Sequence, residues 1–179
     1  LAFLARSLVE VSSPSYAMEK QPGVAFYDHE ETCSQLARCK EAADIVVLSI
    51  HWGVEEYIYP SPRQRQLAVE LVKSGADIIL GHHPHVLQGV ERIMNAYVIY
   101  SLGNFLFNDI KWEAVDSNGA QLSLTHKLNQ RNREGMVLFF EIDEYSNITL
   151  FSPKYTVITI DGHVLLDTER NRSQFYKRT

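Results

Sequence analysis

Short continuous apolar runs alternate with helical stripes along the first half of the chain. Ile45-Val-Val-Leu-Ser-Ile50 is β-branched and unbroken, which predicts a strand covered on both faces. Leu67, Ala68, Leu71 and Val72 then recur at the helical period. Ser61 stands where a cap is wanted, Pro62 takes the first helical position, Gln64 can close a capping box, and Gly75 supplies the stop. Asp77-Ile-Ile-Leu80 follows as a second short strand. Strand, helix and strand within about forty residues predict a right-handed parallel crossover.

The flanking pattern is less sharp. Residues 1 to 5 read as a further buried strand, and residues 12 to 27, with Ser-Ser-Pro-Ser and Pro22-Gly23, as a loop. Asp28 and Glu31 predict a capped helix over 29 to 43, with Cys33, Leu36, Ala37 and Ala43 on its stripe. Val90–Ile93 and Tyr97–Tyr100 predict a hairpin across Met94-Asn95-Ala96. Residues 108 to 133 are polar and without a period, and read as an irregular excursion. Strands are expected from Gly135 to Asp143 and from Ile148 to Ile160, then an Asp161-Gly162 turn into His163–Leu166. Residues 168 to 179 read as a frayed helix. The whole reads as a single domain over 1–179.

Composition changes this picture little. In 179 residues, 45% are apolar and 22% charged, as in an ordinary globular protein. A formal charge of -5 gives no electrostatic footprint for nucleic acid. Cys33 and Cys39 have neither disulfide nor metal spacing, and read as small apolar residues. No apolar run reaches the ~20 residues a spanning helix needs, so the chain reads as soluble as given. It begins on Leu1 inside a strand, so an amino-terminal piece is expected upstream. An export signal or anchor there would make the location the cell envelope or extracytoplasmic space.

Chemistry concentrates at strand ends. In parallel sheets ligands bind beyond the carboxyl ends of the strands. His51 follows the first crossover strand and Gly81-His82-His83-Pro84-His85 follows the second, so the two groups converge on one edge. Neutral imidazoles in that arrangement suit divalent zinc, manganese or iron. Glu55 is a plausible partner for a ligand imidazole. Ser101-Leu-Gly103-Asn104-Phe105 closes another strand at the same edge, where Asn104 can accept from a histidine or donate to an anion. His29, His126 and His163 read as ordinary histidines, and Asp109 is the nearest further carboxylate. No nucleophile elbow, P-loop or dinucleotide fingerprint is present. Metal-assisted hydrolysis remains, in which the cation activates water and offsets charge on the reacting oxygens.

His51-Trp-Gly-x-Glu55, Pro60 and Gln64, Gly75-Ala-Asp77, Gly81-His-His-Pro-His85, Gln88-Gly-x-Glu91 and Tyr100-Ser-Leu-Gly-Asn-Phe105 resemble the CapA-type poly-γ-glutamate capsule synthesis proteins (PGA_cap) of the calcineurin-like metallophosphoesterase superfamily. The resemblance runs from about residue 45 to 107. It implies an α/β fold of metallophosphoesterase type, an αββα sandwich in which two mixed β-sheets are flanked by helices. It also implies His51, His83 and His85 as metal ligands, with His82, Asn104 and Glu55 lining the site. The superfamily's early Asp and Asn-His motifs are not in the chain, and Glu56 stands where Tyr is usual. The chain therefore looks like the C-terminal part of such a domain, holding half of a two-metal site.

The function this implies is a metal-dependent phosphoesterase-type hydrolase in capsule synthesis, acting on poly-γ-glutamate or another anionic polymer, or on a phosphoester. A capsule-synthesis membrane complex would be its partner. The competing readings are a non-catalytic component that binds poly-γ-glutamate, and a fragment that folds without holding metal tightly.

Overall fold

The computed structural model describes residues 1–9, 16–151 and 153–166. Its centre is a five-stranded sheet in the order β1-β2-β3-β5-β4. These strands are β1 (Ala2–Ser7), β2 (Val46–His51), β3 (Ile78–His82), β4 (Val90–Ile93) and β5 (Ala96–Ile99). β1, β2, β3 and β5 run parallel, and β4 pairs antiparallel with β5.

Both faces of β2 are covered, which is why its sequence is continuously apolar. Val46, Leu48 and Ile50 face α1 (His29–Ala42) and α2 (Pro62–Lys73), where Leu36, Leu67, Ala68 and Leu71 are buried. Ile45 and Val47 face the other way, with Ile78 and Ile99, against Met136 and Tyr155. Those two belong to a smaller antiparallel sheet, β12-β11-β8, built from β8 (Glu134–Val137), β11 (Lys154–Ile158) and β12 (Val164–Leu166). The architecture is α/β, with helices, a mixed sheet and a second sheet in layers. Among the described residues the second sheet is antiparallel rather than mixed, and no α-helix covers its outer face.

The helix boundaries follow the caps. At α2, Ser61 Oγ accepts from Gln64 N at 3.2 Å and Gln64 Oε1 accepts from Ser61 N at 3.0 Å. Its far end closes with Gly75 N to Val72 O at 3.0 Å and Ala76 N to Leu71 O at 3.2 Å, around Gly75 at φ 116°. At α1 only half of the expected box forms. Asp28 accepts from Glu31 N at 2.8 Å, but Glu31 turns to Gln35 Nε2, also at 2.8 Å. Cys33 and Cys39 are free thiols.

Two expectations are corrected in the later part of the chain. Residues 108 to 133 are not irregular throughout: β6 (Ile110–Val115) and β7 (Gln121–His126) pair as an antiparallel hairpin, followed by a 3-10 turn at Arg131–Arg133. The expected long strand after Gly135 divides into β8 and β9 (Phe140–Ile142), the latter paired with β10 (Ile148–Leu150). The helix expected over 168–179 lies outside the described residues, as does the first part of the loop expected over 12–27.

Candidate metal centre

Parallel register sets the first pair of histidines. His51 closes β2 and lies opposite His82 of β3. Register partners share a face, and the two Nδ1 atoms meet at 2.8 Å. Ser49, two residues back along β2, brings its hydroxyl to 3.1 Å from His82 Nε2. A polar residue inside the apolar Ile45–Ile50 run is the one sequence signal that could have marked Ser49. His82 thus has both ring nitrogens engaged by protein groups.

Past His82 the chain turns through His83 (φ 104°) and His85 (φ 55°), both in left-handed backbone that non-glycine residues rarely occupy. Each such residue costs about 1–3 kcal/mol and persists because neighbours hold it. The Pro84 carbonyl accepts from Glu56 N at 2.8 Å, and Glu56 itself has φ 63°. Gln88 Nε2 donates to Tyr57 O at 2.7 Å. These bonds fasten the loop after β2 to the histidine turn. One ligand atom each from Glu55, His83 and His85 then lies within 4.8 Å of the others. His51 stands beside this trio, its ring 4.6 Å from that of His83 between centroids.

Asn104 reaches the same edge from the segment after β5. It is buried, at 6% exposure, and its Oδ1 accepts from His85 Nδ1 at 2.9 Å. That leaves His85 Nε2 as the free nitrogen. The amide is oriented by its other end, since Nδ2 donates to Asn132 O at 2.9 Å. Two glycines allow the approach: a Cβ on Gly103 (φ 68°) would overlap the Glu134 carbonyl oxygen, and one on Gly135 the Asn104 carbonyl oxygen. Asn104 N accordingly donates to Glu134 O at 3.1 Å. Asn132 escaped the sequence reading. It is 2% exposed and also donates to His85 O at 3.3 Å, a role visible only once the fold brings position 132 to position 85.

Burial sets the electrostatics. It pushes the His51 imidazole down to about 4, aided by His82, His83 and His85. Burial lowers His82 and His83 as well, although Glu55 pulls His83 in the opposite direction. These rings are therefore neutral near pH 7, the form that binds a cation.

The remaining candidates lie elsewhere. Asp109 pairs with Arg133 at 3.0 Å and accepts from Leu128 N at 3.0 Å, so it braces the chain. His29 sits at the start of α1 against the Tyr27 hydroxyl, His126 ends β7, and His163 lies 3.4 Å from Asp161. Among the described residues no helix is long and apolar enough to cross a membrane.

Known proteins are similar to parts of this chain. The chain is 46% identical over 100 residues to the PGA biosynthesis protein CapA of Bacillus subtilis, covering 55% of this chain and 26% of that protein. It is 44% identical over 112 residues to the capsule biosynthesis protein CapA of Bacillus anthracis, covering 60% of this chain and 27% of that one. The chain thus spans about a quarter of the length of these curated relatives. The solved structure of Haemophilus influenzae NAD nucleotidase (NadN) matches with a TM-score of 0.34 and 17% identity, over 88% of this chain and 31% of that chain, too little to assign a function. Residues 5–109, which contain the whole histidine edge, match the model of the family described as bacterial capsule synthesis protein PGA_cap, and the chain belongs to that family.

Proposed function

We propose that the histidine edge is a divalent-metal site of hydrolase type, working in capsule synthesis on poly-γ-glutamate or a phosphoester. The observation that carries this reading is the trio of Glu55, His83 and His85, with ligand atoms within 4.8 Å of one another. The donor set suits such an ion: two imidazoles and a carboxylate match zinc, manganese or iron. A bound divalent cation would supply an acidified water and neutralise charge growing on the reacting oxygens.

The chain's own residues have separable tasks in this reading. His83 and His85 offer imidazole nitrogen and Glu55 a carboxylate oxygen. His51 offers its Nε2 from the side of the trio, because its Nδ1 is taken by His82. His82, held by Ser49, keeps the His51 ring in place, and Asn104 does the same for His85. This shifts Glu55 from the wall of the site to the ligand set.

Elemental analysis of the purified protein, joined to phosphodiester turnover with and without chelator, tests the proposal. The expected result is bound metal and turnover that chelator abolishes. His83→Ala with His85→Ala should remove the metal, and unchanged stoichiometry in that double variant would reject the assignment. Metal and poly-γ-glutamate binding without turnover would favour the non-catalytic component instead.

A further inference from the structure

A cavity of about 590 Å3 is lined by none of His51, His82, His83 and His85, although His29 and Tyr27 border it. Its lining comes from the first turns of α1 and α2 and from Gly53–Val54 in the loop after β2. Gln64 contributes to it although the residue is only 4% exposed. The Gln64 amide is fixed by its oxygen, which accepts from Ser61 N at 3.0 Å. Its Nε2 is buried and has no acceptor among the described residues. A buried donor left unpaired is costly, so this amide calls for an acceptor. Gly53 (φ 92°) lets the loop after β2 pack directly against that nitrogen, because a Cβ there would lie 2.7 Å from it.

The neighbouring groups are donors too. Ser61 Oγ acts as acceptor to Gln64 N, which leaves its own proton to give. The Arg63 side chain is exposed at the cavity and has no hydrogen bond or ion pair to a described residue. Ser61 caps a 12-residue helix and Arg63 and Gln64 lie in its first turn, at an amino end that carries partial positive charge. Asp28 is the one carboxylate in the lining, and its Oδ1 is taken by Glu31 N at 2.8 Å. Leu8, Phe26, Val54 and Leu67 form an apolar wall.

We propose that this cavity binds an oxyanion, a carboxylate or phosphate group, on a ligand with an apolar flank. The anion accepts from Gln64 Nε2, Ser61 Oγ and the Arg63 guanidinium. The site is independent of the metal reading and goes beyond it. Because Gly53 and Glu55 share one loop, it would hold an anionic group beside the histidine edge.

The test follows the Gln64 side-chain amide by nuclear magnetic resonance in the full chain, stripped of metal and dialysed free of chelator. Glutarate and inorganic phosphate are titrated separately. Saturable movement of the Gln64 Nε2 signals with either anion is expected, and which anion saturates identifies the source. Gln64→Glu keeps the capping box but replaces the donor by a repelling carboxylate, and should weaken binding at least ~10-fold. Arg63→Gln should weaken it about fivefold. Stationary Gln64 signals with both anions would overturn the proposal, and so would undiminished binding in Gln64→Glu. If that variant does not fold, the wild-type titration and Arg63→Gln decide. Metal stoichiometry in Gln64→Glu should stay at the wild-type level, so the two proposals fail separately.

Discussion

Removing the Asn104 side chain probes the candidate centre where stability and ligand geometry can be read apart. Asn104→Ala deletes the acceptor of His85 Nδ1 and the donor to Asn132 O, both at 2.9 Å. Each such bond is worth about 1 kcal/mol net, and stranding the buried partners adds about 1 kcal/mol more. The expected loss is about 3 kcal/mol, or roughly 6–12 °C in Tm for a chain of this size. If His85 holds metal, losing the group that orients it should also weaken affinity about 10–100-fold. Asn104→Asp is the control, because it keeps an acceptor facing His85 while losing the donor to Asn132. Thermal melts of the metal-free protein and calorimetric titration with zinc or manganese measure the two effects. A lowered Tm with wild-type metal affinity in Asn104→Ala would refute the orienting role. Unchanged values of both would refute the hydrogen-bond geometry itself.

Other consequences can be checked directly. Gly81→Ala places a Cβ against the Tyr100 carbonyl oxygen and Trp52 Nε1, which already share a bond of 3.0 Å; backbone cannot yield cheaply there, and about 3 kcal/mol of stability should be lost in denaturant titration. Leu71→Ala opens a void between α2 and the sheet, since Leu71 has no exposed surface, and should cost about 2–5 kcal/mol by the same measurement. For pH, burial holds the His51 imidazole at about 4, below its ordinary 6.5. The unfolded chain therefore takes up the proton first. This contribution to stability is fully present above pH 6.5 and is lost as the pH falls towards 4. Melts of metal-free protein across that window should show a steeper decline for wild type than for His51→Gln, and parallel curves would contradict the burial argument.

The crossover was legible because several independent signals agreed. Ile45–Ile50 is apolar on both faces, and the structure covers both. The α2 boundaries depend on Ser61, Gln64 and Gly75, which act within a few residues of one another. From strand and helix alone it followed that His51 and the histidine turn share an edge. The β6–β7 hairpin was not read, although Ile110, Trp112 and Ala114 alternate with Lys111 and Glu113. That alternation is brief, charged residues surround it, and Trp112 stays 56% exposed, so no buried face enforces the pattern. Glu55 was legible only as a partner for a ligand imidazole lining the site, and Asn132 was not legible at all. Glu55 reaches the histidines through Glu56 N on Pro84 O, and Asn132 through a loop far along the chain. Neither contact leaves a trace in local spacing.

The pairing of His51 with His82 comes from the same ladder that joins Val47 to Ile78 and Leu48 to Ile79. Strand side chains alternate faces, so a slip of one residue between β2 and β3 would send His82 to the opposite side. The same slip would exchange the residues turned to the helices with those turned to the second sheet. Core and candidate centre are thus in phase, and one cannot be misaligned while the other stays correct. The His51–His82 contact is therefore a built-in gauge of native strand alignment. A spectroscopic label on either ring would separate correctly registered chains from compact but misaligned ones during refolding.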